Sequence, residues 1–412
     1  MDLAASCRRL FESHRRENFG GLFHVSSPEV ANVLSSWASA HHALALRHIE
    51  PELARRELET LYRANRLESG LVSRERLLDG ATPSPSLAAV LGEHGCSRLI
   101  EPPLAAFAAA RVATQIGDGA SELLTCATDE LDAIWSERLP PDTSLPVILH
   151  PLESATCGTP LYDPLVDADE LEEWLDDLAS IGRSAAACEF DPARALRAGH
   201  PFVVEDPVFC GWFLVALEEV AAAWGQLGDS RHENKLKIRA QMIADAIGER
   251  LWCEEELIYV GYDRRREEAL RAVTAGGIVP AASRKLLEEG TAKRAIDRHL
   301  RPSASPLWAA RGISFNPVTP DHRVAPSYEI PWRGNVALPE THYWAHLALS
   351  RAQRVPDARV ARTQLEECIE QHGFREAYDP VAGEGLGAGA EEGLTRAAIV
   401  LEMRAEERVF PA

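Results

Sequence analysis

Basic residues are scarce in this sequence, and lysine is the scarcest of them. The 412 residues include 43 Lys plus Arg against 63 Asp plus Glu, which gives a formal net charge of −20 at pH 7. Nucleic acids and anionic membranes bind to concentrated cationic surfaces, so this balance argues against both as partners. We expect instead a small-molecule ligand that is neutral or cationic.

The cysteines also lack any pattern of a metal or disulfide protein. The eight of them form no CxxC pair and no short repeated spacing. HExxH and EF-hand motifs are missing, and the adjacent His41 and His42 would point about 100° apart on a helix, too far to bind one metal from one face. The glycine-rich run 383–389 has no strand–helix context of a dinucleotide site, and we interpret it as a flexible loop over a pocket mouth. The sequence therefore predicts no metal and no cofactor, in a reduced, cytoplasmic setting.

Long apolar runs are absent as well. No stretch reaches the roughly 18 uncharged apolar residues that span a membrane, and residues 1–18 carry many charges without an apolar core. We therefore expect neither a membrane anchor nor an export signal.

Strand signals are scarce, whereas helical periodicity recurs along the whole chain. Within residues 27–48, Pro28 and the spacing of apolar and histidine positions predict one amphipathic helix. Pro51 opens a second helix that ends near Gly70. Further helices are predicted at 86–95, 102–116, 119–138, 168–182, 206–227, 230–252, 283–298, 339–354, 357–371 and 391–408.

Paired helices without alternating strands indicate either a helical solenoid or a closed helical toroid. A solenoid usually shows a repeated consensus, and the absence of one at a fixed period favours the closed form. We therefore predict an all-α fold with residues 1–412 in a single large domain. The longest non-helical stretches, 139–165 and 299–338, carry Pro, His, Trp, Arg and carboxylates, and loops of this length are usually functional.

Several segments, in order along the chain, resemble motifs of glycoside hydrolase family 63 and its bacterial relatives, the mannosylglycerate and glucosylglycerate hydrolases. Together the segments extend from about residue 30 to residue 400. They are Trp37-Ala38-Ser39-Ala40-His41-His42-Ala43-Leu44 (W-D-x-x-F-H-A-L in the family), Pro102-Pro103 (Q-P-P), His150-Pro151-Leu152-Glu153-Ser154 (H-P-W-E-S), Asp206-Pro207-Val208-Phe209 (D-P-x-F), Leu251-Trp252-Cys253-Glu254 with Tyr262-Asp263 (L-W-D-E and D-Y-D), Trp332-Arg333-Gly334 (Y-W-R-G) and Phe374-Arg375-Glu376-Ala377-Tyr378-Asp379-Pro380 (F-x-E-x-Y-D-P).

The resemblance implies an (α/α)6 barrel, and we predict its pocket at the end where the loops 139–165, 299–338 and 373–393 converge. It also implies hydrolysis with inversion, in which one carboxylic acid protonates the leaving oxygen and one carboxylate activates water, the two typically about 6.5–9.5 Å apart. By this resemblance Glu376 is the base. Cys157 stands where the family has its acid, an Asp.

Other departures from the family fall on positions that contact sugar there. Ala38 replaces an Asp, Glu101 replaces the Gln before Pro-Pro, and Thr395-Arg396 replaces a Trp-Ser pair. The P-x-W-P that follows the Trp-Arg-Gly motif is Asn335-Val336-Ala337-Leu338. Because framework positions persist, we interpret the chain as a maintained barrel with a rebuilt pocket.

Three interpretations of Cys157 stay open. An unperturbed thiol, with a pKa of about 8.5, is poorly matched to protonating a departing sugar oxygen, whereas a lowered pKa would make it a nucleophile. The structural alternative is a small buried residue that fills the vacated space. Glu153 and Asp163 flank it, and either would serve as a displaced proton donor if burial raised its pKa.

The candidate substrate-binding residues have structural alternatives too. A Trp face beside a guanidinium suits a sugar ring or a carboxylate, but Trp332 and Arg333 would equally anchor a loop on the barrel rim. Asp206 is expected to cap the following helix and can also contact substrate. The candidates are Trp37, His42, His150, Asp206, Trp332, Arg333 and Tyr378. The Trp-Arg pair is bracketed by Tyr328, Glu329, Glu340, His342 and Tyr343, of which Glu340 also fits a first-turn carboxylate stabilised by the helix dipole.

Three functions remain open on the sequence. The first is an enzyme that acts on a small glycoside or polyol, with Glu376 as base and an unconventional acid near Cys157. The second is a repurposed barrel that performs a non-hydrolytic step, such as cyclisation, elimination or isomerisation, on a non-sugar metabolite. The third is a catalytically silent binding protein.

Overall fold

Paired helices dominate the structure, a computed structural model that describes residues 2–27, 32–83, 88–92, 95–117, 119–166, 170–302, 304–318, 330, 332–389, 391 and 393–409. The α-helices of this part of the chain are α1 (Leu3–His14), α2 (Ser36–Leu46), α3 (Pro51–Asn65), α4 (Leu104–Ile116), α5 (Ala120–Glu137), α6 (Leu171–Ala187), α7 (Pro192–Ala198), α8 (Pro207–Gln226), α9 (Ser230–Arg250), α10 (Arg284–Glu289), α11 (Thr291–His299), α12 (Pro339–Arg351), α13 (Val355–His372) and α14 (Val400–Val409). Four 3₁₀ helices accompany them, at Pro151–Ser154, Pro160–Tyr162, Ala275–Ala282 and Thr395–Ile399.

The start of α8 shows how the sequence specifies these helices. Pro207 occupies the first turn, where its missing N–H costs nothing, and Asp206 precedes it as the N-cap. The Asp206 Oδ1 accepts a hydrogen bond of 2.8 Å from the backbone N–H of Phe209. The same device, an Asp followed by Pro, starts α7 at Asp191 and Pro192.

Six elements form the inner ring of a closed barrel. Around the ring, each of α2, α4, α8, the 3₁₀ helix Ala275–Ala282, α12 and the 3₁₀ helix Thr395–Ile399 contacts the next, and the last contacts α2 again. Nearly all residues of these elements are buried, as expected for helices that are apolar around their whole circumference. The outer layer is α3, α5, α9, α10 with α11, α13 and α1, each packed on an inner element. The predicted (α/α)6 barrel is therefore confirmed.

The connections of the ring differ at its two ends. Links from an inner to an outer element are short, as at 47–50, 117–119, 227–229 and 352–354. Links from an outer to the next inner element are long, and they include 138–206, 300–338 and 373–394. Because each hairpin is antiparallel, the inner elements run in the same direction, and the long links gather at the N-terminal ends of all six. We call this face the N-terminal end of the barrel.

Small antiparallel sheets stabilise the connections. The strands are β1 (Arg15–Asn18), β2 (Gly21–His24), β3 (Val33–Ser35), β4 (Glu75–Leu77), β5 (Val204–Glu205), β6 (Trp252–Cys253), β7 (Ile258–Tyr259), β8 (Gly261–Asp263), β9 (Glu268–Leu270), β10 (Ala377–Tyr378) and β11 (Gly385–Leu386). They pair as β1–β2, β3–β4, β6–β7, β10–β11 and the three-stranded order β5–β8–β9.

Several predicted boundaries are wrong. The helix predicted over 27–48 begins only at Ser36, because Val33–Ser35 pairs with β4 and Ser35 caps the helix instead. Of the helix predicted over 86–95, residues 86, 87, 93 and 94 lie outside the described residues, and Leu91 forms an isolated bridge with Ser97. Gly290, at φ +97°, divides the region 283–298 into α10 and α11. Helices α1 and α7 were not predicted.

Helix α8 is the one helix, within the described part of the chain, that is long and apolar enough to cross a membrane by length and composition. Of its 18-residue apolar window, 83% is buried inside the barrel. A helix in this position is the core helix of a barrel, and its apolar composition follows from its contacts with α4, α9 and the Ala275–Ala282 element.

Candidate active site

The three predicted pocket loops meet at the N-terminal end of the barrel. Arg333 forms an ion pair with Asp163, which joins the loops 299–338 and 139–165. Ala337 pairs with Tyr378 through two backbone hydrogen bonds of 2.9 and 2.8 Å, which joins 299–338 to 373–393. These contacts bring described parts of the three loops together at one end of the barrel.

Trp37, Trp332 and Trp344 pack together at this end of the barrel, and we call them the tryptophan wall. The Trp332 ring stacks on Trp344 of α12, with ring centroids 5.6 Å apart and planes within 4° of parallel, and Phe315 packs against it edge-on. Trp37, at the start of α2, packs edge-on against Trp344 at 6.4 Å. Trp332 lies at φ +68°, a left-handed conformation that strains a bulky side chain and that tertiary packing must hold in place.

An ion pair lies beside this wall. The Arg396 Nη1 donates a 2.7 Å hydrogen bond to Oε1 of Glu340, whose side chain is 1% exposed. His41 is close enough to both charges to respond to them, but burial lowers its pKa to about 4 and keeps the ring neutral. Its Nδ1 donates to the Trp37 carbonyl oxygen at 2.7 Å, so its Nε2 is an acceptor.

Buried polar atoms without a hydrogen-bond partner collect in this region. We call them the unpaired cluster, and within the described residues it consists of the indole Nε1 of Trp37 and Trp344, His41 Nε2, Glu340 Oε2 and both amide atoms of Asn335. Native proteins pair most buried polar groups, because each unpaired one costs about 1–3 kcal/mol. A concentration of them at the end of the barrel where the loops converge is typical of a binding site.

Glu376 lies on the third loop, next to the β10–β11 hairpin. Its Oε2 accepts a 3.0 Å hydrogen bond from the Ala388 N–H, and its Oε1 has no hydrogen-bond donor among the described residues. Gly387, at φ +68°, makes this position possible, since a Cβ there would lie 2.6 Å from Oε2. The side chain of Glu376 is half-buried, so water can reach it. Oε2 is fixed by the hydrogen bond, and Oε1 can accept a proton from a water molecule.

Cys157 is buried, and this argues against two of its three interpretations. Burial raises the pKa of the thiol to about 11, and the charge of nearby Arg74 only partly offsets the effect. A thiol that stays protonated is neither an activated nucleophile nor a match for general acid catalysis near neutral pH. The structure therefore favours the packing interpretation.

Glu153 does not support the expectation of a displaced proton donor. Its carboxylate is fully buried in an ion pair with Arg138, at 2.6 and 3.1 Å, and it accepts the backbone N–H groups of Leu149 and Ile100. Both oxygens are occupied, so its role is to tie the loop 139–165 to the barrel. Asp163, the other flanking carboxylate, is half-exposed and paired with Arg333.

Three further candidates are also held by internal partners. His150 accepts from Leu152 N–H and donates to the Leu178 carbonyl oxygen, and burial lowers its pKa to about 3. His42 bridges Glu57, at 3.1 Å, and Thr395, at 2.6 Å. The Tyr378 hydroxyl donates to the Gly373 carbonyl oxygen and accepts from the Arg375 N–H. Each of these contacts is made within the protein, so the predicted contact of these three side chains with substrate stays a prediction.

Asp206 accepts a hydrogen bond from the Tyr162 hydroxyl in addition to the one that caps α8. Its Oδ2 accepts a 2.7 Å hydrogen bond from the Tyr162 hydroxyl while Oδ1 caps α8. Burial raises its pKa to about 6. Tyr328 and Glu329 lie outside the described residues. Within those residues no group of three or more His, Cys, Asp or Glu side chains could hold a metal ion.

Glu101 replaces a Gln that contacts sugar in the family, but it was not among the candidate site residues predicted from the sequence. Its Oε2 accepts hydrogen bonds from the Ser36 hydroxyl, at 2.6 Å, and the Trp37 N–H, at 2.9 Å. Its Oε1 lies 3.7 Å from Arg74 Nε. The charge of Glu101 raises the pKa of Cys157. The signal that could have identified it is a carboxylate just before the start of an inner helix.

Comparison with known proteins agrees with this architecture. A mannosylglycerate hydrolase of Rubrobacter radiotolerans is 25% identical over 414 residues, 90% of this chain and 91% of the relative. One from Thermus thermophilus is 27% identical over 285 residues, 62% of this chain and 63% of the relative.

Solved structures share the fold. A GH63 mannosylglycerate hydrolase from Thermus thermophilus in complex with glucose superposes with a TM-score of 0.80 at 20% identity, covering 97% of this chain and 99% of that one. Neutral trehalase Nth1 from Saccharomyces cerevisiae gives 0.60 at 15% identity, covering 99% and 80%.

A family model also matches most of the chain. Residues 32–392 fit the model described as the mannosylglycerate hydrolase MGH1-like glycoside hydrolase domain. The matched range includes all three converging loops, except the last residue of 373–393. The chain therefore belongs to the mannosylglycerate hydrolase MGH1-like family of glycoside hydrolase domains.

Proposed function

We propose that this protein hydrolyses a small glycoside by acid/base chemistry, with Glu376 as the general base. The observation that carries the proposal is the unpaired cluster beside the tryptophan wall. It offers two indole N–H donors, two acceptors and an amide, and the hydroxyl groups of a sugar can donate to the acceptors and accept from the donors. The faces of tryptophan rings suit the apolar faces of a sugar ring.

Glu376 supplies the chemistry. Its Oε2 is fixed by the Ala388 N–H while Oε1 remains available to remove a proton from an attacking water. A group held in this way keeps its orientation and leaves its second oxygen open to a water molecule.

The helix N-termini at this end of the barrel can accommodate an anionic aglycone. The positive ends of the inner helices lie there, and so do Arg333 and Arg396, each paired with a carboxylate, of Asp163 and of Glu340. An anionic ligand differs from the neutral or cationic one that was expected from the net charge of −20. Since the curated relatives are named mannosylglycerate hydrolases, we propose glycosides of small hydroxy acids as the first substrates to try.

A panel of substrates tests the proposal. Mannosylglycerate, glucosylglycerate, glycosides of neutral alcohols and 4-nitrophenyl glycosides would be incubated with the parent and with Glu376→Gln, and the released sugar measured. We expect the parent to hydrolyse at least one, and Glu376→Gln to lose about 10²- to 10⁴-fold in kcat/KM. Glu384→Gln is the matched control, because Glu384 lies exposed on the same loop with its side chain unpaired among the described residues. Equal activity of Glu376→Gln and the parent contradicts the base assignment.

A second candidate is favoured by Cys157. A protonated thiol at the family's acid position removes the group that protonates a sugar leaving oxygen, which suits a non-hydrolytic step on a non-sugar metabolite. Mass spectrometry of ligands that co-purify with the protein tests it. A non-sugar ligand that the parent converts and Glu376→Gln does not would favour this candidate, whereas a ligand that is bound unchanged favours a silent binding protein.

A further inference from the structure

We propose that Glu101 is the proton donor to the leaving group, in place of the residue at position 157. This inference rests on the proposed glycoside hydrolysis, because the departing glycosidic oxygen is the group that would take up the proton. The carboxyl group lies at the N-terminal end of the barrel, three residues before α4 begins, and it contacts the first residues of α2.

The geometry of Glu101 leaves one oxygen for chemistry. Oε2 is fixed by the Ser36 hydroxyl and the Trp37 N–H, which ties the carboxyl to the same residue whose indole belongs to the unpaired cluster. Oε1 accepts no hydrogen bond from the described residues, and the side chain is 4% exposed. An acid that is held by one oxygen can present its other oxygen, and the proton on it, in a constant direction.

The other carboxyl groups at this end of the barrel are engaged more closely. Both oxygens of Glu153 are held by Arg138 and backbone N–H groups, and Asp206 uses one oxygen as a helix cap and the other for Tyr162. Asp163 is paired with Arg333. Glu340 has one oxygen without a partner, but Arg396 holds the other in a 2.7 Å ion pair. Glu101 differs from these groups in two ways. Its Oε1 accepts no hydrogen bond from the described residues, and its nearest ion-pair partner among them, Arg74, is 3.7 Å away.

The surroundings of Glu101 shift its pKa in the direction that a general acid needs. Burial raises its pKa, and the charge of Arg74 opposes the shift without reversing it. Arg74 is divided among several partners, since its Nε also contacts Glu75 at 3.1 Å and its Nη1 donates to the Leu152 carbonyl oxygen. The other titratable groups nearby are Glu75, which raises the pKa further, and Cys157.

The proposed step balances without a cofactor. The proton on Glu101 Oε1 passes to the glycosidic oxygen as the bond from that oxygen to the anomeric carbon breaks, and the bonding electrons leave with the oxygen. A water oxygen forms the new bond to the anomeric carbon and gives one proton to Glu376. The net consumption is one water, and proton exchange with solvent restores Glu101 as the acid and Glu376 as the carboxylate.

The experiment compares two leaving groups on the same sugar. Glu101→Gln keeps an oxygen that can accept from Ser36 and Trp37 but has no proton to give. We expect kcat/KM to fall at least about 100-fold on a glycoside with an alkoxide leaving group. On the 2,4-dinitrophenyl glycoside, whose leaving group needs no proton, we expect a change of less than about tenfold. The alkaline limb of the pH profile of kcat/KM should disappear as well.

Two further variants complete the test. Adding Cys157→Asp to Glu101→Gln restores a carboxyl at the neighbouring position, and we expect it to recover activity on the alkoxide substrate. Glu130→Gln is the matched control: Glu130 is another buried carboxyl with a raised pKa, but it hydrogen-bonds Tyr62 between α3 and α5 in the outer layer, so its loss should leave activity unchanged.

The outcomes separate this inference from the proposed function. If Glu101→Gln loses activity equally on both leaving groups, or on neither, Glu101 is not the proton donor although the protein is a glycosidase. If the folded parent hydrolyses no glycoside at all, the proposed function is wrong and the inference falls with it. Should Glu101→Gln fail to fold, Glu101→Asp serves instead, and an unchanged alkaline limb in that variant would overturn the inference.

Discussion

Burial determines the chemistry of Cys157. A thiol with a pKa of about 11 is ionised to only about one part in 3,000 at pH 7.5, so its reaction with iodoacetamide should be a few hundredfold slower than that of a free thiol. We expect mass spectrometry of the native protein to show Cys157 unlabelled under conditions that label a free cysteine, while the guanidinium-unfolded chain takes up label at all eight cysteines. Rapid labelling of Cys157 in the folded protein would restore the nucleophile interpretation.

Residue types could be predicted at the site, but their hydrogen-bond partners could not. The sequence identified Glu376, Trp332 and Arg333 on loops that do converge. It could not show that Glu153 is occupied by Arg138, because that pair depends on how the loop 139–165 folds back on α5. It marked Glu101 as a departure from the family but gave it no role, because the proposed role depends on contacts with Ser36 and Trp37 that lie far away in sequence.

The β10–β11 hairpin is the element that positions the proposed base. We expect Gly387→Ala to lower kcat by about 10- to 100-fold, since its new Cβ would lie 2.6 Å from Glu376 Oε2 and must displace the carboxylate. Gly199→Ala is the matched control: Gly199 has φ +70°, close to that of Gly387, but no atom within 4 Å of the added Cβ. Both variants carry similar backbone strain, so thermal unfolding should shift alike while activity falls only in the first. Equal activity of the two would show that the hairpin does not hold Glu376 in place.

At the level of elements, long helices were predicted well and short ones poorly. The apolar residues of a long helix such as α9 repeat over many turns, so the helical period can be recognised even where single positions depart from it. Val33–Ser35 reads equally well as helix or strand, and its pairing with β4, more than forty residues away, decides the outcome. Helix α7 spans only Pro192–Ala198, too few turns to give a clear period.

Closure of the ring brings the two ends of the chain together. The sequence predicted closure only through the lack of a repeat, since nothing local records that the Thr395–Ile399 element packs on α2. The outer helix that covers this last inner element is α1, from the opposite end of the chain. The closing contacts include a buried ionic network around Glu402 of α14, and this network makes the closure testable.

Glu402 joins three parts of the ring at the end opposite the site. Its fully buried carboxylate binds Arg47, just after α2, at 2.7 and 2.9 Å, and His48 at 2.6 Å, and it lies 3.6 Å from Arg111 of α4. Burial alone would raise its pKa, but these partners, above all Arg47, lower it to about 2. A lowered pKa means that the folded state favours the ionised form, so this contribution to stability is present above about pH 4.5 and is lost as pH falls towards 2.

Removing that charge should weaken closure of the barrel. We expect Glu402→Gln to reduce the free energy of unfolding at pH 7 by about 3–5 kcal/mol, because it leaves Arg47 and Arg111 with less compensation in a buried site. Urea unfolding at pH 7 and pH 3 is the measurement. The difference from the parent should shrink at the lower pH, because below about pH 4.5 the unfolded parent binds a proton at Glu402 that the folded parent does not. Glu367→Gln is the control, since the Glu367–Arg311 pair is about half exposed and should change stability by less than about 0.5 kcal/mol. A Glu402→Gln variant as stable as this control would mean that apolar packing closes the ring without the ionic network.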